Sequence, residues 1–253
     1  MRTARAGLII GMVAAMALTA RAQTADERAA SREIVKKRGD AVVMVLATVK
    51  LHINQGGREQ PIDQATQANA TVLDATGLAV MSLSTLQPDA QFERQLSARS
   101  GAGKVEVTSE ATDVRMRFGE REVPARMVLK DEDLDLAFVR PVEPPATPVT
   151  FIDAATGKPN LLDPLLVLQR TSENTGWLAA AGFGQVQLII DKPRTYYLVS
   201  FPSVGGGGLG SPLFDMAGRF VGVIVVRSTG QRGSGSPGVL PAEDIREVAK
   251  QAK

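Results

Sequence analysis

Three residue types in this sequence suggest nucleophilic chemistry. The single histidine is His52, Asp135 ends an acidic DEDLD stretch, and Ser211 lies in a glycine-rich loop, VGGGGLGSPL, at residues 204–213. In acyl transfer a base takes the proton of a serine hydroxyl as that hydroxyl attacks, and a carboxylate orients the base. His52 and Ser211 therefore form one candidate catalytic set, to which an orienting carboxylate must be added.

The local sequence favours a simpler interpretation of two of these residues. Ser211 directly precedes Pro212, whose ring restricts the Ser211 backbone to extended conformations, whereas an elbow nucleophile needs a sharp exposed turn. His52 lies in KLHINQGG, at the end of a predicted strand, where a lone histidine is more often a surface or loop residue. We therefore interpret Ser211 as a small residue in a tight loop and keep the catalytic set as the alternative.

The composition argues against several other kinds of site. The chain has no cysteine and one histidine, which excludes thiol chemistry and argues against a zinc site. Calcium needs only oxygen ligands, but no loop has the calcium-hand spacing. No basic tract is interleaved with aromatic residues, so nucleic-acid binding is not indicated. We expect no metal and no cofactor.

Residues 1–22 predict a secretory signal peptide. Arg2 and Arg5 precede an uncharged apolar stretch from Ala6 to Ala20, and Ala20-Arg21-Ala22 supplies a cleavage site with small residues at its ends. The apolar stretch is shorter than the roughly 20 residues that a membrane span needs, so cleavage is favoured over an anchor. Cleavage lowers the basic count from 29 to 26 against 27 acidic residues, a net charge of −1. We expect a periplasmic or secreted protein without a membrane anchor after cleavage.

Hydrophobic periodicity predicts a β-rich body between two short helices. Thr24 and Glu27 have the spacing of a capping box at the start of a helix over residues 24–38, and a last helix begins near Pro241. Short apolar runs lie between them, most clearly in a hairpin over residues 113–129. Residues 87–110 are polar and predict a variable excursion with weak structure.

A proline-rich segment divides the chain into two parts. PVEPPATPV, at residues 141–149, is stiff and extended, as in a linker. Many short strands on both sides of it predict two small β-barrels or a pair of sandwiches. We place the lead-in helix and the first barrel at residues 23–145, and the second barrel and the last helix at residues 146–253.

Five segments in the same order resemble the protease domain of the HtrA (Deg) group of trypsin-like serine proteases. They are the helix at 24–38 running into AVVMVL, TVLDATGLAVMSLSTL, the hairpin followed by DLAF, VGGGGLGSPLFDMAGRFVGVIVV, and GVLPAEDIREVAKQ. Together they cover roughly residues 30–250. The resemblance implies an all-β fold of two six-stranded antiparallel β-barrels with short N- and C-terminal helices.

The resemblance places the three catalytic positions of that group on Ser84, Asp135 and Leu209. Gly77 anchors the first position, DLAF the second and Pro212 the third. Leu209 has no lone pair with which to attack a carbonyl, and the neutral hydroxyl of Ser84 is too weak a base near neutral pH. Two of the three positions are therefore unsuited to the usual mechanism.

The same resemblance places the oxyanion loop on Gly207, Gly208 and Gly210, with Ser211 where the group has a glycine. Four consecutive glycines, at residues 205–208, increase the entropy lost when the loop becomes ordered. We therefore do not expect a rigidly preformed oxyanion hole. At the acid position, a buried carboxylate without donors is costly, so Asp135 is expected to accept at least one hydrogen bond.

The favoured hypothesis is a catalytically inactive homologue, a pseudoprotease, that binds a polypeptide along a sheet edge or regulates a protein partner. The alternative is an active serine endopeptidase that uses His52, Asp135 and Ser211. A third hypothesis is a structural partner that assembles with active relatives. The sequence predicts neither the ligand nor the oligomeric state.

Overall fold

Six antiparallel strands close the first of two β-barrels. The computed structural model describes residues 24–55, 58–100, 105–200, 208–228 and 235–252. The strands of the first barrel are β1 (Val42–Gln55), β2 (Arg58–Val72), β3 (Ala79–Ser82), β4 (Val105–Phe118), β5 (Arg121–Asp131) and β6 (Leu136–Pro141). Around this barrel the order is β1-β2-β3-β6-β5-β4.

Six further antiparallel strands close the second barrel. They are β7 (Pro164–Arg170), β8 (Ala179–Ile190), β9 (Tyr196–Ser200), β10 (Pro212–Asp215), β11 (Phe220–Ser228) and β12 (Gly235–Pro241). Around this barrel the order is β10-β11-β12-β9-β8-β7. The expected all-β fold of two six-stranded antiparallel barrels is confirmed.

Three short helices accompany the barrels: α1 (Ala25–Arg38), α2 (Asp89–Ser100) and α3 (Ala242–Ala249). The predicted capping box begins α1, because Thr24 Oγ1 accepts a hydrogen bond from Glu27 N and the Glu27 carboxylate accepts one from Thr24 N. In the described part of the chain, no helix has the length and apolar character needed to cross a bilayer. The predicted signal peptide lies outside the described residues.

The expectation of weak structure over residues 87–110 is wrong for the described residues, 87–100 and 105–110. This stretch contains α2 and the start of β4. Phe92 and Leu96, one helical turn apart, pack on a small apolar cluster of β1 and β4 made of Val49, Leu51, Ile53, Val105 and Val107. The polar segment before it, HINQGGREQPIDQATQ, is also ordered where described, because β1 and β2 pair out to Gln55 and Arg58.

A shared apolar cluster joins the two barrels and the terminal helices. Each barrel also has its own core, around Met81 and Met116 in the first and around Leu165 and Leu213 in the second. The shared cluster includes Ile34 of α1, Phe138 of β6, Phe214 and Phe220 of the second barrel, and Ile245 of α3. Burial of these side chains fixes the barrels against each other, and the candidate site lies where they meet.

The predicted linker runs along the first barrel. Val149 N donates to Ala75 O at 3.2 Å, and Ile152 N donates to Val72 O at 2.9 Å. The segment thus bonds to the end of β2 and to the turn that precedes β3, close to the point at which the chain crosses to the second barrel.

Candidate functional site

Asp135 accepts four hydrogen bonds at the junction of the barrels. Its carboxylate receives the Ser82 hydroxyl, the Ser84 hydroxyl at 2.6 Å, the Ser84 amide at 2.7 Å and the Val226 amide at 2.7 Å. Only 6% of the residue is exposed. The expected donor contact is therefore present, and it comes from both barrels. We call Ser82, Ser84 and Asp135 the acid cluster.

The register of the first barrel brings the acid cluster together. Ser82, the last residue of β3, pairs with Leu136, the first residue of β6, so Asp135 lies directly beside the end of β3. Ser84 follows in a single 3₁₀ turn, and Leu83 N donates to Asp135 O at 2.9 Å. Asp135 has φ of 57°, a conformation that few residues other than glycine adopt, and this backbone bend precedes β6.

Burial raises the pKa of the Asp135 carboxyl above its ordinary value of 3.8. The hydrogen bonds from Ser82, from Ser84 and from the Val226 amide act in the opposite direction but do not outweigh burial. Each of these donors is neutral, so none of them compensates the desolvation of the carboxylate with a positive charge.

A tight turn at residues 208–211 faces the acid cluster from the second barrel; we call it the 208–211 turn. Ser211 N donates to Gly208 O at 3.0 Å, which closes the turn. Gly210 N donates to Ile224 O at 2.8 Å, and Ile224 N donates to Ser211 O at 3.1 Å. Thr71 of the first barrel donates its hydroxyl to Gly210 O at 2.9 Å. The backbone of this turn is thus held by both barrels.

Gly210 occupies a place where no larger residue fits. Its φ is +83°, in the left-handed region, and a Cβ added there would lie 1.9 Å from Asn69 O. Gly208 belongs to the same turn. Gly207 and the two glycines before it lie outside the described residues, so the formation of an oxyanion hole is not tested.

The side chains of the 208–211 turn offer no nucleophile to solvent. Leu209 is half-buried and packs against the core of the second barrel, which includes Leu213, Val221 and Ile224. Ser211 is fully buried, and its hydroxyl has no hydrogen-bond partner in the described part of the chain. This burial agrees with Ser211 as a small residue filling a glycine position.

His52 lies in a different part of the first barrel. Its Nδ1 lies 2.9 Å from Glu59 Oε1, and it pairs along the strands with Pro61 and Thr108. The start of β1 lies nearest to β3: Val42 of β1 pairs with Thr71 of β2, and β2 pairs with β3 at this point. His52 is ten residues further along β1, about 33 Å of extended strand. The structure therefore does not bring His52 to Asp135 or to Ser211.

Three groups of the site were missed by sequence reasoning. Ser82 had a signal, because MSLS places it two residues before Ser84, the first of the predicted catalytic positions. The hydroxyl of Thr71 and the amide of Val226 had none, since both belong to regular strands and reach the site only through the packing of the barrels. The described residues contain no group of three or more histidine, aspartate or glutamate side chains placed to hold a metal ion.

Two of the solved structures that match this chain illustrate the fold. The chain has a TM-score of 0.55 and 15% identity to a serine-to-alanine variant of the HtrA-type protease AlgW with a tripeptide, over 87% of this chain and 62% of that chain. It has a TM-score of 0.52 and 16% identity to a serine-to-alanine mutant of Rv3671c from M. tuberculosis H37Rv in an inactive form, over 87% and 89% of the two chains. This chain thus spans less than two thirds of the AlgW chain.

Family membership follows from the sequence of the site-bearing region. No curated protein matches the chain with significant similarity. Residues 68–223, which include the acid cluster and the 208–211 turn, match the trypsin-like peptidase domain. Since this match covers more than half of its length, the chain belongs to the trypsin-like peptidase domain family.

Proposed function

We propose that this protein is an exported, catalytically inactive trypsin-like peptidase domain that binds polypeptide or regulates a protein partner. The observation that carries the proposal is the set of donors to Asp135. Its carboxylate accepts hydrogen bonds from serine hydroxyls and backbone amides, not from an imidazole. Across the site, Leu209 packs into the second barrel.

Acyl transfer by the usual route needs two groups that these positions lack. The attacking atom must have a lone pair and lose its proton to a base during attack. The Ser84 hydroxyl donates to Asp135, and a neutral hydroxyl cannot take up the proton of the attacking atom near neutral pH. Because Leu209 provides no nucleophile, no covalent intermediate forms, and an oxyanion hole would have no developing charge to stabilise.

The alternative set of His52, Asp135 and Ser211 receives no support from the geometry. His52 bonds to Glu59, both carboxylate oxygens of Asp135 are occupied, and the Ser211 hydroxyl is buried. An active enzyme built on this set would need His52 to cross most of the length of β1.

An edge of β11 that no described strand covers, called here the open edge, supports polypeptide binding. β11 pairs with β10 only as far as Val223 but with β12 as far as Ser228. Ile224 and the Val226 amide already have partners on the β10 side. Because alternate residues direct their N–H and C=O groups to the same edge, the Val226 carbonyl and both backbone groups of Ser228 face that side. No described strand pairs with them there, and an extended segment could add as a strand.

A fluorophosphonate probe and casein test for catalysis. We expect no labelling and no cleavage by the purified protein, because neither Leu209 nor the buried Ser211 presents a nucleophile. Ser211→Ala is the matched variant. Labelling of the parent protein that Ser211→Ala abolishes would overturn the inactive assignment.

Binding at the β11 edge is tested with fluorescein-labelled unfolded casein. Ser228→Pro removes one donor from the open edge without touching the ladder to β12, and should weaken binding about 3- to 10-fold. Ser228→Ala changes the side chain but keeps the amide, so its affinity should equal that of the parent protein. Equal affinities for all three proteins would place the binding surface elsewhere, and no binding at all would reject the polypeptide-binding role.

Export rests on the sequence of residues 1–22. We expect the protein, expressed with its own N-terminus in a Gram-negative bacterium, to be processed after Ala22 and recovered outside the cytoplasm. N-terminal sequencing and cell fractionation measure both. Full-length protein retained in the cytoplasm would contradict export without affecting the assignment of the site.

A further inference from the structure

A row of positive charges borders an apolar cleft between α1 and the second barrel. The cleft has a volume of about 350 Å³. Arg28, Arg32 and Lys36 of α1 form one side, while Val35 of α1 and residues of β7 and β8, among them Ala181 and Phe183, form the apolar lining. We call this surface the α1 cleft. It shares no residue with the acid cluster, the 208–211 turn or the β11 edge.

The three cations lie on one face of the helix. They follow one another at four-residue intervals, so they extend over about 12 Å along the helix axis. All three are exposed, and none forms an ion pair with a described residue. Arg38, at the end of the same helix, differs from them because it pairs with Asp153.

This arrangement does not stabilise α1. Arg28 repels Arg32, and Arg32 repels Lys36, because like charges four residues apart disfavour a helix. Arg28 also lies near the N-terminal end, where the helix dipole favours acidic residues such as Asp26 and Glu27. Lys36 lies in the last turn, where the helix dipole favours a cation, so the unfavourable part of the row is its internal repulsion and the position of Arg28. An external anion would remove that repulsion.

We propose that the α1 cleft binds a polypeptide segment that carries several carboxylates beside apolar side chains. Three cations spread along the helix match separated negative charges better than they match a single headgroup. The lining by Val35, Ala181 and Phe183 favours apolar side chains, which would lose water on entering the cleft. The volume is suited to a few such side chains. Because this surface is separate from the β11 edge, the proposal stands independently of polypeptide binding there.

The probe is a fluorescein-labelled helical peptide with one glutamate per turn beside a stripe of leucines. Its affinity is measured by fluorescence anisotropy at low and at high salt. The triple variant Arg28→Gln, Arg32→Gln, Lys36→Gln should bind about tenfold more weakly, and most of the salt dependence should disappear with the three charges. Lys37→Gln removes a neighbouring charge of α1 that does not line the cleft, and should leave the affinity unchanged.

A second variant tests the apolar lining. Ala181→Trp should fill the cleft and reduce peptide affinity without changing any charge. Thermal unfolding checks folding independently: the triple variant should melt close to the temperature of the parent protein, because the removal of two repulsive pairs offsets the loss of Lys36 from the last turn. A binding loss together with unchanged melting supports the proposal.

Three results would overturn it. The peptide could fail to bind, or it could bind equally well to the parent protein, the triple variant and Ala181→Trp. Alternatively, phosphatidylglycerol vesicles could bind through Arg28, Arg32 and Lys36 while the peptide does not, which would assign the cleft to a membrane surface.

Discussion

The acid cluster and the 208–211 turn lie on opposite barrels and differ in what holds them. In the acid cluster, every bond ends on the side chain of Asp135, which accepts from the Ser82 hydroxyl, from the hydroxyl and amide of Ser84, and from the Val226 amide of the other barrel. In the turn, the backbone provides the bonds, through Gly210 and Ser211 to Ile224. Its side chains contribute apolar packing and one hydroxyl without a described partner.

This difference distinguishes the features of the site that its local structure needs from those that acyl transfer would need. A buried carboxylate needs donors, and two hydroxyls and two amides meet that need without any group that can accept a proton at neutral pH. The turn needs a glycine in a left-handed conformation, but its geometry does not require a serine at position 209. Each half of the site can therefore keep its local structure without supporting acyl transfer.

Gly210→Ala should have the largest effect on stability. The new Cβ would lie 1.9 Å from Asn69 O at a φ of +83°. Strain and overpacking together should lower the free energy of unfolding by about 3–5 kcal/mol, or the melting temperature by about 6–20 °C. Gly119→Ala is the matched control, because Gly119 has φ of +60° with nothing within 4 Å of the added Cβ. It should cost about 1 kcal/mol, and equal losses for the two variants would show that the contact with Asn69 is unimportant.

Asp135→Ala should have the next largest effect. It removes the acceptor of four hydrogen bonds and leaves a buried donor on Ser82 and a half-buried one on Val226. We expect a loss of about 2–4 kcal/mol in the free energy of unfolding, measured with urea. Asp133→Ala, an exposed acid two residues away, should change it by less than about 0.5 kcal/mol. A loss for Asp135→Ala as small as that of the control would contradict a structural role for the acid cluster.

The change of stability with pH that Asp135 causes should be smaller than the effect of Asp135→Ala, because protonation changes the charge and not the whole set of hydrogen bonds. Burial raises the pKa of Asp135 in the folded state above 3.8. Its stabilising contribution is then fully present below the unfolded pKa and is lost as pH rises through the folded pKa. The stability of the parent protein relative to Asp135→Asn should therefore fall from pH near 3.8 upward. Urea unfolding at a series of pH values measures this difference, and a rise with pH would show that the hydrogen bonds outweigh burial.

The sequence predicted the barrels because their cores are encoded locally. Alternating residues of the hairpin at 113–129 and the apolar runs of the second half identify strands without knowledge of their partners. α2 was missed although Phe92 and Leu96 have helical spacing, because the polar and small residues around them dominate the composition of residues 87–110. The positive φ of Asp135 was not predictable, since its cause is the bend into β6 and the partners on both barrels.

The same limit applies to the site. Ser84, Asp135 and Leu209 were named from order along the chain, and the contact between Ser84 and Asp135 follows from adjacent strands. Val226 is 91 residues from Asp135, and no local pattern indicates that its amide reaches the carboxylate. The position of His52 likewise depends on the length of β1. That length was not predictable, because the segment after His52 is polar.

Ser211→Ala should have the smallest effect on stability. It discriminates best, because it should raise the free energy of unfolding whereas the other variants lower it. The Ser211 hydroxyl is fully buried without a partner in the described chain, so its removal relieves an unmet desolvation cost. The backbone bonds of residue 211 to Gly208 and Ile224 do not involve the side chain. We expect the free energy of unfolding to rise by about 1 kcal/mol, or the melting temperature by about 2–4 °C. Ser84→Ala, which removes a donor to Asp135, should lower stability by a similar amount. If both variants were destabilised, the Ser211 hydroxyl would have a hydrogen-bond partner, and the contrast between a bonded acid cluster and an apolar turn would fail.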